Sequence, residues 1–120
     1  MPRAARAEDQ IQRAIFDHLR SRAAPGVFAF HPANGGFRKP IEAKILVGLG
    51  VVAGVPDVIA IKGGRTYALE IKTEEGRLTP RQRETIEAMR AAGAFVCVVY
   101  GLNAAIKQIE QWGLVRGVAA

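Results

Sequence analysis

Two carboxylates and one ammonium stand out from this sequence by their spacing: Asp57, closing Gly54-Val55-Pro56-Asp57, and Glu70 and Lys72 in Glu70-Ile71-Lys72. Between them lie two apolar runs, Val58-Ile59-Ala60-Ile61 and Thr66-Tyr67-Ala68-Leu69, split by Lys62-Gly63-Gly64-Arg65. Short apolar runs around Gly-Gly signal a β-hairpin. With Gly63 and Gly64 as a two-residue turn, Lys62 pairs with Arg65, and stepping outward brings Asp57 opposite Glu70. Opposed residues in an antiparallel pair share a face, with Cβ atoms about 4.5–5.5 Å apart. Lys72 joins them, because strand side chains alternate. Two carboxylates so close cannot both stay ionised without a compensating cation. The set suits Mg²⁺, which takes oxygen ligands and keeps several waters, and the chemistry it implies is phosphodiester cleavage. Taken singly, Glu-x-Lys is an ordinary solvated strand face and Pro-Asp an ordinary turn. Their apposition across an apolar hairpin is what points to a metal site.

The opposite face of the hairpin (Val58, Ala60, Tyr67, Leu69, Ile71) is apolar as well, so cover is expected on both sides. From Glu8 to about Arg22, Ile11, Ala14, Ile15 and Leu19 follow helical spacing. Glu8 lies on that stripe, and it either caps the helix dipole or points into a site at the core's edge. After Ala23-Ala24-Pro25-Gly26, a short strand is expected over Val27–Phe30. His31 then either acts as an acid or base or is simply hydrogen-bonded. Asn34, Gly35 and Gly36 suit an Asn-Gly turn, and beside Arg38 and Lys39 they also suit a phosphate backbone. A short helix over Ile41–Val47 follows, and Gly48, Gly50 and Gly54 form a tight lead-in to Asp57 without nucleotide-fingerprint spacing. Arg77 is free for phosphate. Thr79-Pro80-Arg81-Gln82 reads as a capping box, yet Gln82 also begins a buried stripe with Ile86 and Met89. Arg81, Arg83 and Arg90 add positive charge to that helix. Phe95–Tyr100 is expected inside the sheet, and Asn103 is expected to cap a last helix carrying Ile106, Ile109 and Trp112. Trp112 fits packing or a dimer contact better than base stacking, and Leu114–Ala120 has too little pattern to place.

Length fits one domain over 1–120, with residues 1–7 expected to be disordered. Seventeen Lys and Arg against eleven Asp and Glu give a net charge of +6, which favours an acidic partner, above all nucleic acid. The lone Cys97 lies in an apolar run and reads as a small buried hydrophobe, excluding a disulfide framework or zinc spacing. With no signal-peptide core and no apolar run of membrane-spanning length, a cytoplasmic location without membrane partners is expected.

Pro56-Asp57 followed by Glu70-Ile71-Lys72 resembles the PD-(D/E)XK nuclease superfamily, and the flanks resemble its VRR-NUC branch, the virus-type replication-repair nuclease domain. The flanks are Glu8, His31-Pro32-Ala33-Asn34-Gly35-Gly36, Gly50-Val51-Val52-Ala53-Gly54-Val55-Pro56-Asp57 and Leu78-Thr79-Pro80-Arg81-Gln82. The superfamily motif is loose alone, but with these flanks it covers about Glu8 to Tyr100. The resemblance implies an α/β restriction-endonuclease-like core, a mixed and mainly four-stranded sheet flanked by helices. It also implies an endonuclease using Mg²⁺ or Mn²⁺ and no organic cofactor, cutting branched, flapped or nicked DNA. Catalysis would fall to Asp57, Glu70, Lys72, Glu8 and Gln82, with metal held by Asp57, Glu70 and the Ile71 carbonyl. DNA contacts would come from Asn34, Arg38, Lys39, Arg77 and Arg81. Members that stand alone tend to be homodimers, and the chain has little room for a target-recognition domain. The rival readings are a Holliday-junction resolvase and a non-catalytic nucleic-acid-binding module.

Overall fold

The computed structural model describes residues 3–33 and 40–117. The expected DNA-contact residues Asn34, Arg38 and Lys39 lie outside the described residues. In chain order the elements are α1 (Arg3–Ser21), β1 (Phe28–Phe30), α2 (Pro40–Gly48), β2 (Val58–Lys62), β3 (Arg65–Lys72), α3 (Pro80–Ala91), β4 (Phe95–Tyr100) and α4 (Leu102–Gln111). Helix α1 therefore begins before Glu8, inside the stretch expected to be disordered.

The four strands form one mixed sheet in the order β1-β2-β3-β4, antiparallel except for the parallel β3–β4 pair. Lys62 pairs with Arg65 and the ladder runs out to Val58 opposite Leu69, the register expected from the Gly-Gly turn. Both turn glycines have positive φ, +58° at Gly63 and +77° at Gly64, as a two-residue turn matched to strand twist requires.

Each face of the sheet has its own core. On one, α1 and α4 cover Val58, Ala60, Leu69, Ile71 and Val99 with Ile15, Leu19, Ala105 and Ile109. Leu114 and Val115 close this core, and Val115 bridges to Ala23. The tail lacked any periodic pattern because it is neither helix nor strand, and burial of two residues anchors it instead. Trp112 packs on the Tyr67 ring with centroids 5.3 Å apart, so it serves as packing. On the other face α3 alone lays Ile86 over Ile59, Ala68 and Val96.

That second cover is incomplete. Ile61, Phe28 and Phe30 remain exposed, against the expectation that the hairpin is covered on both sides. Helix α2 buries none of its residues, although Ile41, Ala43, Ile45, Leu46 and Val47 make it apolar around most of its circumference.

Two further expectations change. Strand β4 lies at the sheet's edge rather than its interior, with Phe95 and Tyr100 exposed. Its continuous apolar sequence comes from being sandwiched by α3 and α4, since cover on both faces produces that pattern whether or not a strand has two neighbours. Asn103 does not cap α4: the cap position is Gly101, with no side-chain hydrogen bond, and Asn103 lies inside the first turn. Gly101 takes φ +90° there, and its N–H donates to the Lys72 carbonyl at 2.9 Å.

Candidate active site

The site forms where β3 outruns β2. Continuing the register one step past Val58–Leu69 sets Asp57 against Glu70, and Asp57 Oδ2 accepts the Ile71 N–H at 2.8 Å. That bond replaces the rung β2 would have supplied and pins the carboxylate at the mouth of the sheet. Ile71 thus enters through its amide, whereas the resemblance implies a role for its carbonyl.

Glu70 and Lys72 are two residues apart on β3 and share its α3-facing side. Both are buried, at 2% and 6% relative exposure, and Lys72 Nζ lies 3.8 Å from Glu70 Oε2. Gln82 Nε2 reaches the same oxygen at 3.4 Å, while Glu70 Oε1 is buried with no hydrogen-bond partner. Burial, then the Asp57 charge, push the Glu70 carboxyl from its ordinary 4.5 up to about 8; Lys72 opposes the rise, and the Asp57 hydrogen bond and Glu8 add to it.

Glu8, half-buried on α1, completes the cluster. Burial raises its pKa, Lys72 lowers it, Asp57 raises it, and a hydrogen bond from the Thr73 backbone N–H lowers it. Of the two readings of this residue, the structure favours the one that points it into the site.

Helix α3 delivers Gln82 by a reciprocal cap: Thr79 Oγ1 accepts the Gln82 N–H at 3.1 Å, and Gln82 Oε1 accepts the Thr79 N–H at 2.9 Å. With its oxygen so engaged, the amide NH₂ must face Glu70. The structural and functional readings of this residue therefore describe one geometry. The helix is pressed against the lead-in to Asp57, where Gly54 has φ +80° and an added Cβ would stand 2.7 Å from the Arg81 carbonyl oxygen. Thr85 Oγ1 donates to the Ala53 carbonyl at 2.6 Å, fastening the same contact.

His31 is hydrogen-bonded, one of its two expected readings: its Nδ1 lies 2.7 Å from the Asp57 carbonyl oxygen, tying the end of β1 to the site. One further feature was not expected. A groove of about 580 Å³ runs between α1 and β1, lined by Arg13, Phe16, Arg20, Phe28 and His31. Helical spacing of Arg13 and Arg20 held a signal for it, but the edge position of β1 was not legible. Arg77 and Arg81 are exposed beside the site, on the loop after β3 and the first turn of α3.

Among the described residues no three His, Cys, Asp or Glu side chains converge closely enough to hold an ion unaided. The donor set nevertheless fits a divalent cation of Mg²⁺ type, which needs only one or two carboxylates and completes its shell from water and phosphate. The orphaned Glu70 oxygen is what such an ion would satisfy.

Neither a family model nor a curated protein matches the chain. Among solved structures, a "VRR_NUC domain protein" is similar over 88% of this chain and 87% of its own, with TM-score 0.74 and 27% identity. A second, a "VRR_NUC domain", shares the fold over 88% of this chain and 97% of its own, with TM-score 0.61 and 22% identity. The α/β sheet, its flanking helices and the first of these likenesses support a VRR-NUC domain, and both likenesses show a fold of the VRR-NUC nuclease type.

Proposed function

We propose that the chain is a Mg²⁺- or Mn²⁺-dependent endonuclease that hydrolyses DNA phosphodiester bonds and selects its substrate by structure. The observation that carries this reading is the buried, partly unsatisfied Glu70 carboxyl with Lys72 and the half-buried Asp57 beside it. A binding module would gain nothing from carboxylates aimed at a polyanion.

Asp57, Glu70 and the Ile71 carbonyl are the groups that would hold the ion. When bound, it supplies Lewis-acid polarisation of the scissile phosphate and a lower pKa for the attacking water. Lys72 orients that water and offsets the negative charge that builds on the phosphate. Its ammonium is already held 3.8 Å from Glu70, so little reorganisation is needed. Gln82 donates to Glu70 and fixes its rotamer, and Glu8 extends the acidic wall toward α1. Arg77 and Arg81, both exposed, are the residues that would contact the DNA backbone.

Selection by structure follows the resemblance to the VRR-NUC branch; among the described residues every element except α2 packs around the sheet that bears the site. The test is a nicking assay with Mg²⁺, Mn²⁺ or EDTA on linear, flapped and four-way DNA, run beside Asp57→Asn. Cleavage confined to the metal-loaded wild type is expected. Equal cutting by both proteins would mark a contaminant, and DNA binding without cutting would favour the binding module.

A further inference from the structure

The groove between α1 and β1 takes no part in the acidic cluster, and its chemistry is of another kind. Arg13, Phe16 and Arg20 follow one stripe of α1 at i, i+3 and i+7 and form one wall. The other wall is β1, whose place at the edge of the sheet leaves the groove open. Phe28 and Phe30 stand along it with ring centroids 6.0 Å apart and relative exposures of 66% and 39%. Neither ring belongs to a core. Among the described residues no carboxylate lines the groove. Arg20 lies over the Phe16 ring, 5.6 Å from its centroid, and 3.8 Å from Asp17. Both partners of that ion pair are exposed, so it holds the guanidinium weakly and a phosphate can replace it.

We infer that this groove is a binding site for an unpaired strand of DNA, with bases stacked on Phe28 and Phe30 and phosphates paired with Arg13 and Arg20. A cationic groove edged by aromatic rings is the combination that holds single-stranded nucleic acid without regard to sequence. In a duplex each base is already stacked on its neighbours, so open phenyl rings favour the strand whose bases are free.

The dimensions agree. Seven residues of helix set Arg13 and Arg20 about 10 Å apart along the axis. The three residues of β1 extend about as far. At about 3.4 Å per stacked nucleotide this gives room for two or three, the number that two rings can serve.

The groove also leads to the acidic cluster. His31 lines one end of it, and His31 Nδ1 lies 2.7 Å from the Asp57 carbonyl oxygen, so a strand leaving the groove at that end arrives beside Asp57. The inference rests on the nuclease reading for what the strand is, the unpaired arm of a branched substrate. Binding itself needs no hydrolysis, and its test reads affinity rather than cleavage.

Anisotropy of labelled oligothymidine with the full chain in EDTA, beside a blunt duplex of equal length, supplies that test. The double variant Phe28→Ala, Phe30→Ala is expected to weaken single-strand binding by about tenfold or more, leaving duplex binding and the salt slope unchanged. The double variant Arg13→Ala, Arg20→Ala should flatten the slope of log affinity against log salt by about 1.4, two phosphates at about 0.7 each. An oligonucleotide carrying iododeoxyuridine should photo-cross-link to Phe28 or Phe30, located by mass spectrometry. All four side chains are exposed, so circular dichroism should report an unchanged fold. No single-strand binding, equal weakening of single strand and duplex by the Phe variant, or cross-links confined to other residues would overturn the inference. So would an acidic peptide that binds more tightly than the oligonucleotide and loses affinity in the same Phe variant. Groove binding by a wild type that cuts no DNA would remove the nuclease reading and leave this site standing. Cutting by a protein whose groove variants bind single strands like wild type would do the reverse.

Discussion

Glu70 should make this protein lose stability as pH rises through the neutral range, and a divalent ion should restore it. The carboxyl is held at about 8 in the fold against an ordinary 4.5, mainly by burial and then by Asp57. Between those values the folded chain keeps a proton that the unfolded chain has released, so raising the pH favours unfolding. The window spans about 3.5 pH units at 1.36 kcal/mol each, setting an upper bound on the order of 5 kcal/mol. Local rearrangement and water entry reduce this, and about 2–3 kcal/mol is expected between pH 5 and pH 8. Against a typical total of about 5–15 kcal/mol this is a large change. The assay is urea unfolding in EDTA across that range, for wild type and Glu70→Gln. The variant has no ionisable group at this position, so the difference between the two slopes reports Glu70 together with its interactions with Asp57, Lys72 and Glu8. Adding Mg²⁺ at about pH 8 should return most of the loss to wild type and little to the variant, because binding to the folded state alone stabilises by mass action. Identical pH slopes in wild type and Glu70→Gln would refute the reasoning.

Lys72→Met should abolish cleavage while leaving DNA affinity within a few-fold, measured by nicking and by fluorescence anisotropy. Gly54→Ala should destabilise by more than about 2 kcal/mol in urea unfolding, because the new Cβ meets the Arg81 carbonyl in a backbone region disfavoured for alanine. Thr79→Ala removes one half of the reciprocal cap and should cost about 1 kcal/mol in the same assay, with a fall in cleavage rate as Gln82 loses its fixed orientation. Arg77→Ala with Arg81→Ala should weaken DNA binding on every substrate alike and flatten the salt dependence by about two charges, read from affinities over a range of salt concentrations.

Much of the site was legible because it is local. A Gly-Gly pair with positive φ at both positions fixes the hairpin register, register fixes which residues share a face, and Asp57, Glu70 and Lys72 follow. For Glu8 and Gln82 the spacing left two readings each, a helix cap or a place at the site's margin, and the resemblance carried the second. What escaped depends on partners far away in sequence. The edge position of β4 turns on which strands neighbour β3, and its composition reports only that both faces are covered. Asn103 was favoured as a cap by its type, but the turn leaving β4 put Gly101 at that position. Leu114 and Val115 are anchored by contacts with α1 and the core, which no periodicity records. The openness around Phe28, Phe30 and Ile61 was equally hidden, since three apolar strand residues look alike whether or not a helix lies over them.

The two-residue turn at Gly63 and Gly64 has an evolutionary corollary. One inserted amino acid there would slide a strand by a single step, sending Ile59 toward the wrong layer and carrying Asp57 away from Glu70 at once. Descendants of this sequence are therefore expected to keep the number of residues from Asp57 to Glu70 constant, so that spacing is a sounder guide to distant relatives than overall identity.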